Sequence, residues 1–377
     1  MPPDAATPLR VLFFFPNLSG GGISRINLDL AIAMRAQGVD AALFLMHGTG
    51  ERWDEAVEAG VPIHFAVPAT KPLGRWSTPR IARAFSPVAR RYDVIVADRV
   101  PAHVHSVLAR PFTRRPVIRQ VHVDLRADTR EGQWRTRLLN RLSYPRTAAF
   151  IGVSKGAAES AVLAGARRDR THVLYNGVHI ARVQARAGEE PAFTPPRRYI
   201  VGAGRLHDDK GFDILVRAHA EALGRGVEHD LVIVGEGEDR AALTALAARL
   251  GVSETVHLPG FLPNHWPVVA RASVFCLPSR REGFALALLE ALALGVPAIA
   301  ADCQSGPREL FDGGRLGALV PVDDVQALAG AIERHLAHPT GFRERAKVAQ
   351  GEVAERFSIA EAARQYIVLC ADVAGSR

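Results

Sequence analysis

Short apolar runs separated by stretches of helical spacing recur along this chain, and that alternation limits its fold more than any other feature. Residues 11–15 read as a buried strand. Ile26, Leu30, Ile32, Ala33 and Met34 follow at helical spacing, and residues 41–45 form the next strand. The rhythm returns at residues 94–97, 117–121 and 149–153. Runs that are apolar at consecutive positions are buried on both faces, as in a parallel sheet covered by helices. The pattern lapses after Gly177, and residues 189–198 are polar and proline-rich, so residues 180–198 read as a linker. A second series begins at residues 199–202 and continues at 231–234, 256–258, 274–277 and 298–300. The expectation is therefore an α/β chain of two doubly wound, Rossmann-like domains, residues 1–185 and 186–357, facing across a cleft. In such sheets ligands bind beyond the carboxyl ends of the strands. Residues 358–373 are helical by spacing and by pattern alone cap either domain.

Composition bounds the partners. Hydrophobic residues make up 48% and charged residues 23% of 377, which is globular rather than disordered. Three scattered cysteines fit neither a zinc site nor a disulfide framework, so a reducing cytoplasm is the expected location. The amino terminus does not read as a signal peptide, and Glu290 and Pro297 interrupt the longest apolar stretch, 285–301. The net charge of +8 is uneven: residues 1–180 carry 25 Lys/Arg against 14 Asp/Glu. That half is expected to meet an anionic partner. With no nucleic-acid-binding motif and no aromatic-rich basic stripe, a membrane surface or a phosphate-bearing acceptor fits better than nucleic acid. Residues 110–146 hold ten arginines against Asp124, Asp128 and Glu131. Trp134, Leu138 and Leu142 are spaced by four among Arg130, Arg137 and Arg141, and Arg75, Trp76, Ile81, Phe85 and Val88 lie in a second such segment. These read either as a peripheral contact with an anionic membrane or as amphipathic helices packed on their own domain.

The strongest chemical signal follows the strand ending near Leu277. The stretch Pro278-Ser-Arg-Arg-Glu282-Gly283-Phe284 is a turn, and an apolar helix starts near Ala285 and carries Glu290. Backbone N–H groups of a glycine turn and a helix N-terminus suit a phosphate. Carboxylates beside a phosphate would be repelled by it, so Glu282 and Glu290 are expected to reach past it to hydroxyls of a sugar and a ribose. A second signal, Gly204-Arg205-Leu-His-Asp-Asp-Lys210-Gly211, follows the strand at 199–202. Arg205 and Lys210 offer fixed positive charge to a leaving phosphate. Gly20, Gly21 and Gly22 follow the first strand and allow close approach of a ligand. His122 stands at a strand's carboxyl end. Asp208-Asp209 and Asp323-Asp324 are adjacent pairs rather than an Asp-X-Asp motif, so no metal site and no cofactor are expected.

Together these residues resemble glycosyltransferase family 4, a retaining family of GT-B fold. The likeness is carried by Gly20–Gly22, His122, Val153-Ser154, Asn176-Gly177-Val178, Gly204-Arg205-Leu206 with Lys210-Gly211, Gly235-Glu-Gly237 and the Glu-X7-Glu spacing of Glu282 and Glu290. Gly295-Val-Pro297 and residues 302–309 resemble members that build bacterial surface polysaccharides and lipid-linked glycans, often from UDP-sugars. The resemblance implies that Arg205 and Lys210 bind the donor diphosphate. It also implies that Glu290 holds the ribose and Glu282 the transferred sugar, with Gly204, Gly235, Gly283, Phe284 and Ala285 forming the surrounding backbone. His122 would touch the sugar near its 6-position, Gly21 and Gly22 would lie against donor phosphate or acceptor, and a C-terminal helix at about 358–377 would pack on the first domain. One departure is Arg25, near which many relatives place an acidic residue.

The implied partners are a nucleotide-diphosphate sugar, UDP in preference to GDP, and a glycan or lipid-linked acceptor. The rival readings are a sugar-nucleotide epimerase of similar fold and a non-catalytic nucleotide-sugar-binding subunit. A nicotinamide-dependent oxidoreductase ranks third, because no acidic residue follows a Gly-X-Gly-X-X-Gly loop at the required distance.

Overall fold

A computed structural model describes residues 8–19, 21–71, 77–122 and 133–376, except for the side chains of 77, 78 and 133–137. Gly20, Arg75, Trp76, Asp124, Asp128, Arg130 and Glu131 lie outside the described residues, as do the side chains of Trp134 and Arg137.

The chain divides into two compact units, residues 1–177 with 359–377, and residues 178–358. The first holds a parallel sheet of seven strands: β1 (Arg10–Phe15), β2 (Asp40–Gly48), β3 (Ile63–Pro68), β4 (Val94–Asp98), β5 (Val117–Val121), β6 (Ala149–Gly152) and β7 (Thr171–Val173). Their order is β3-β2-β1-β4-β5-β6-β7. The consecutive apolar residues of β1 divide between the two faces with the period of two that a strand imposes. Val11, Phe13 and Phe15 join a core with Leu43, Val94 and Ile118, whereas Leu12 and Phe14 join Phe44, Ile95 and Val117 on the other face. On that second face the Phe14 ring stacks on Phe85 at 4.7 Å and meets Phe44 edge-on at 5.0 Å.

The last helix, Ile359–Gly375, belongs to this unit. Ile359, Ala362, Ala363, Tyr366, Leu369 and Cys370 recur at helical spacing and pack in the core with Ile26, Leu30 and Met34 of helix Gly22–Ala36. Burying each large apolar side chain there contributes roughly 1.5–3 kcal/mol.

The second unit holds six parallel strands: β8 (Tyr199–Ala203), β9 (Asp230–Val234), β10 (Val256–Gly260), β11 (Val274–Leu277), β12 (Ala298–Ala301) and β13 (Ala318–Val320). Their order is β10-β9-β8-β11-β12-β13. Ile200, Ile233, Cys276 and Ile299 pack under the helices Phe212–Gly224 and Val325–Ala337.

Two expectations need correction. The stretch 180–198 is not a bare linker, since residues Ile180–Ala187 form a helix. Val183 is its one fully buried side chain, and the helix packs with helices Trp266–Ala270 and Leu286–Ala293 of the second unit. Ile180, Val183 and Ala187 do recur at helical spacing, but the run lasts only two turns and adjoins the polar, proline-rich residues 189–198. The unit boundary accordingly falls after Gly177. Three strands, β3, β7 and β13, also escape the sequence pattern. Two of them are three residues long, and β3 mixes His64 and Pro68 into an edge position.

Burial has a titration consequence. His219, on helix Phe212–Gly224, has its Nε2 3.1 Å from Thr255 Oγ1, and burial lowers its pKa to about 4. A histidine depressed in the folded state takes up its proton more readily when unfolded. Its contribution is therefore intact above about pH 6.5 and is lost as pH falls from there towards 4. Urea unfolding at pH 7.5 and 4.5 is expected to show wild type losing on the order of 3 kcal/mol more than His219→Gln. Equal losses would remove His219 from the acid response.

Candidate active site

In each sheet the strand order reverses beside the first strand of its unit, and the loops leaving that point are where open α/β sheets bind ligands. In the second unit those loops follow β8 and β11, which pair in parallel. After β8 the chain passes through Gly204 and Arg205 into a 3-10 turn, Asp208–Lys210, and Gly211 adopts φ 62° to start helix Phe212–Gly224. A Cβ on Gly211 would stand 2.3 Å from the Pro278 carbonyl oxygen, so only glycine lets this turn touch the loop after β11. The same need arises at Gly235, where a Cβ would stand 1.8 Å from the Gly204 oxygen.

That approach brings Lys210 and Glu282 together across 72 residues of sequence. Lys210 Nζ donates to Glu282 Oε1 at 2.6 Å, and Ser279 Oγ donates to the same oxygen at 2.7 Å. The Glu282 side chain is 7% exposed. Cys303 lies close enough that burial, and next the Glu282 carboxylate, push its thiol up to about 12. Arg205 differs: it is exposed and makes no hydrogen bond or ion pair among the described residues. Gly283, Phe284 and Ala285 are buried, and the helix begins one residue later than expected, at Leu286. Its first turn has no acidic residue and no side-chain cap, so its N–H groups retain the partial positive charge of a helix start. Glu290 is 4% exposed, and His265 Nε2 donates to its Oε2 at 3.0 Å.

Arg280 and Arg281 supply the rigidity of the loop. Arg280 binds Asp213 through both terminal nitrogens at 2.9 Å, Asp323 at 2.7 Å and Asp208 at 3.1 Å. These carboxylates raise its pKa, Asp213 most. Arg281 pairs with Asp209. The adjacent aspartates noted in the sequence thus clamp arginines: Asp208, Asp209 and Asp323 each hold one, while Asp324 Oδ1 caps the next helix by accepting from Ala327 N at 2.8 Å.

In the first unit Gly21 (φ 149°) precedes helix Gly22–Ala36, with open space where its side chain would be. Arg25 stands 3.6 Å from Asp29. Asp98, at the carboxyl end of β4, is 2% exposed and accepts from Asn27 Nδ2 at 2.6 Å. His122, just beyond β5, brings Nε2 to 3.0 Å from the same Asp98 oxygen, though not aligned as a hydrogen bond. Arg119, on the opposite face of β5, is buried beside Tyr144 and donates to Asn140 Oδ1 at 2.7 Å. Burial lowers its pKa.

Sequence reasoning missed Asp98, Asn27, His265 and Ser279. Asp98 was legible as the polar residue that ends an apolar strand. Asn27 and His265 act through partners 71 and 25 residues away, and Ser279 is one small polar residue of a turn whose partner, Glu282, is three residues on.

Residues 20–182 match the model for Glycosyltransferase Family 4, and residues 197–338 match the model for Glycosyl transferases group 1. Each half of the chain thus resembles a glycosyltransferase. It is 29% identical over 236 residues to the Campylobacter jejuni N-acetylgalactosamine-N,N'-diacetylbacillosaminyl-diphospho-undecaprenol 4-alpha-N-acetylgalactosaminyltransferase, covering 62% of this chain and 63% of that one. It is 33% identical over 201 residues to the lipopolysaccharide core biosynthesis glycosyltransferase LpsE of Rhizobium meliloti, covering 52% and 56%. These matches span less than two thirds of either relative. The chain also shares its fold with Anabaena Alr3699/HepE, solved in complex with UDP and glucose. The TM-score is 0.82 at 22% identity, over 97% of this chain and 100% of that one. The fold is therefore GT-B, built from two Rossmann-like domains.

Proposed function

We propose that this chain is a retaining glycosyltransferase of family 4 in bacterial surface polysaccharide or glycan synthesis. It moves a hexosyl or N-acetylhexosaminyl group from a UDP-sugar to a glycan or lipid-linked acceptor. The observation that carries the reading is the arrangement around β8 and β11: an unpaired Arg205, Lys210 neutralising Glu282, and an uncapped helix start beside Glu290. Two cations and a row of N–H groups suit a diphosphate, and two buried carboxylates suit hydroxyls. Relatives named for lipid-linked and lipopolysaccharide substrates, and a structural neighbour holding UDP, support the donor and acceptor classes.

In the proposed reaction the bond between the sugar's anomeric carbon and the diphosphate oxygen breaks, with its electron pair leaving on the diphosphate. Arg205, Lys210 and the helix N-terminus stabilise that charge. The acceptor oxygen bonds to the anomeric carbon on the face being vacated, and its proton passes to a phosphate oxygen. Glu282 accepts from sugar hydroxyls rather than attacking, and Glu290 accepts from the ribose. No step requires a metal ion.

Calorimetry of UDP, GDP and ADP with EDTA present tests the donor site. UDP is expected to bind without metal, and Glu290→Ala to weaken it about tenfold or more through loss of a charge-assisted hydrogen bond. A folded protein that binds none of the three would be a non-catalytic scaffold, and unchanged UDP affinity in Glu290→Ala would remove that residue from the ribose.

A further inference from the structure

Helices Arg99–Leu108, Arg110–Thr113 and Gln133–Ser143 of the first unit border an open groove of about 720 Å³. Its lining is mostly apolar, including Val104, Val107, Leu108, Leu139 and Leu142. Arg110, Arg114 and Arg146 stand around it. If these helices were amphipathic only in order to pack on their own domain, their large apolar side chains would be covered. Instead Leu108 and Phe112 are each 65% exposed, and Leu142 is 57% exposed. An apolar patch of this kind marks a contact surface.

Among the described residues the charge around the groove is one-sided. Arg110 donates to the Arg146 carbonyl at 2.9 Å and Arg146 to the Leu142 carbonyl at 3.0 Å, so both guanidiniums are oriented by main chain, and neither has an acidic partner among the described residues. None of the groove-lining residues is acidic. Residues 77–122 and 133–158 together hold 13 arginines and one lysine against two aspartates. One of these, Asp98, is buried, and the other, Asp93, is bonded to Arg10.

A groove of leucines ringed by arginines matches an anionic amphiphile. Its phosphates would take the guanidiniums and its hydrocarbon the apolar floor. A second copy of this chain fits poorly, because a two-fold contact would set the same arginines against each other. No helix among the described residues is long and apolar enough to cross a membrane, so the contact would lie in the interface plane.

We infer that this groove docks the chain on the anionic phospholipids of a bilayer surface. Arg110, Arg114 and Arg146 bind headgroup phosphates, and Leu108, Phe112 and Leu142 sit at the level of the acyl chains. The inference deepens the lipid-linked acceptor reading and rests on it for its purpose, but its test requires no glycosyl transfer.

The test is co-sedimentation of the full chain with vesicles of phosphatidylglycerol and phosphatidylcholine, compared with phosphatidylcholine alone. Wild type is expected to partition onto the anionic vesicles only, and to come off as salt rises from about 0.1 to 0.5 M. One basic residue near an anionic surface is worth about fivefold in partition, so R114E/R146E should weaken it by more than about tenfold. Leu142→Asp should weaken it as well. R249E/R343E, the same charge change in the second unit, should not. UDP affinity, measured in parallel, should be unchanged in all variants and shows that they are folded. Absence of binding to anionic vesicles, wild-type partition by R114E/R146E, or equal loss in R249E/R343E would overturn the proposal. So would a wild-type dimer in gel filtration that L142D abolishes, since the groove would then be a protein interface. Failed UDP binding with intact partition would instead strike the transferase reading and leave the groove standing.

Discussion

Lys210→Ala is expected to lower turnover on the order of 10²-fold and, unlike an ordinary surface substitution, to destabilise the fold as well. The second effect follows from geometry. The Glu282 side chain is 7% exposed, and its Oε1 accepts from Lys210 Nζ and Ser279 Oγ. Removing the ammonium leaves a buried carboxylate with one hydroxyl for company, which costs roughly 3–5 kcal/mol where a pair is fully buried. Lys210 is 27% exposed, so the lower part of that range applies. The double variant Lys210→Met with Glu282→Gln removes both charges and should recover most of the stability but none of the turnover. Urea midpoints and steady-state rates on the same preparations separate the two effects. Wild-type turnover in Lys210→Ala would end its assignment to the donor diphosphate, and unchanged stability would mean that the pair is not coupled in solution.

For Arg205→Ala the expected result is a similar loss of turnover, on the order of 10²-fold, with stability unchanged within about 0.5 kcal/mol. The side chain is exposed and unpaired, whereas its backbone is held on both sides. Gly204 N donates to the Val234 carbonyl and Leu206 N to the Glu236 carbonyl, each at 2.9 Å. A free guanidinium on a fixed loop is preorganised for a charge that forms only during reaction. Arg205→Lys keeps the charge but not the two-pronged donor, so it should recover only part of the rate. A thermal melt shifted as far as that of Lys210→Ala, or a rate equal to wild type, would contradict this division of roles between the two cations.

The contrast between Arg205 and Lys210 shows what kind of information each level holds. In the sequence they are equivalent, two basic residues in one glycine-bearing loop. In the structure one is free and the other neutralises a carboxylate contributed by the next strand of the sheet. Glu290 is a similar case: its place on an apolar helix marked it as unusual, but its partner His265 lies 25 residues earlier in a loop without a period. His122 was recognisable from its position at a strand end, whereas Asn27, which binds the same aspartate, is one polar residue on a helix whose pattern reports only its apolar side.

The sequence by itself determined that there are two parallel sheets, where most of their strands run, and which loops carry the chemical groups. Those properties follow from local periodicity and from the short reach of a glycine turn. It did not mark the helix Ile180–Ala187, which is two turns long and adjoins a polar, proline-rich stretch, or the short edge strands, where a three-residue run leaves no period to detect. Only the tertiary structure decided that Lys210 serves Glu282, that Asp98 gathers Asn27 and His122, and that leucines among arginines stay exposed on the first unit. Strand order sets those outcomes: placing β8 beside β11 and β1 beside β4 joins loops that are some seventy residues apart in the chain. No window of local pattern spans such a distance.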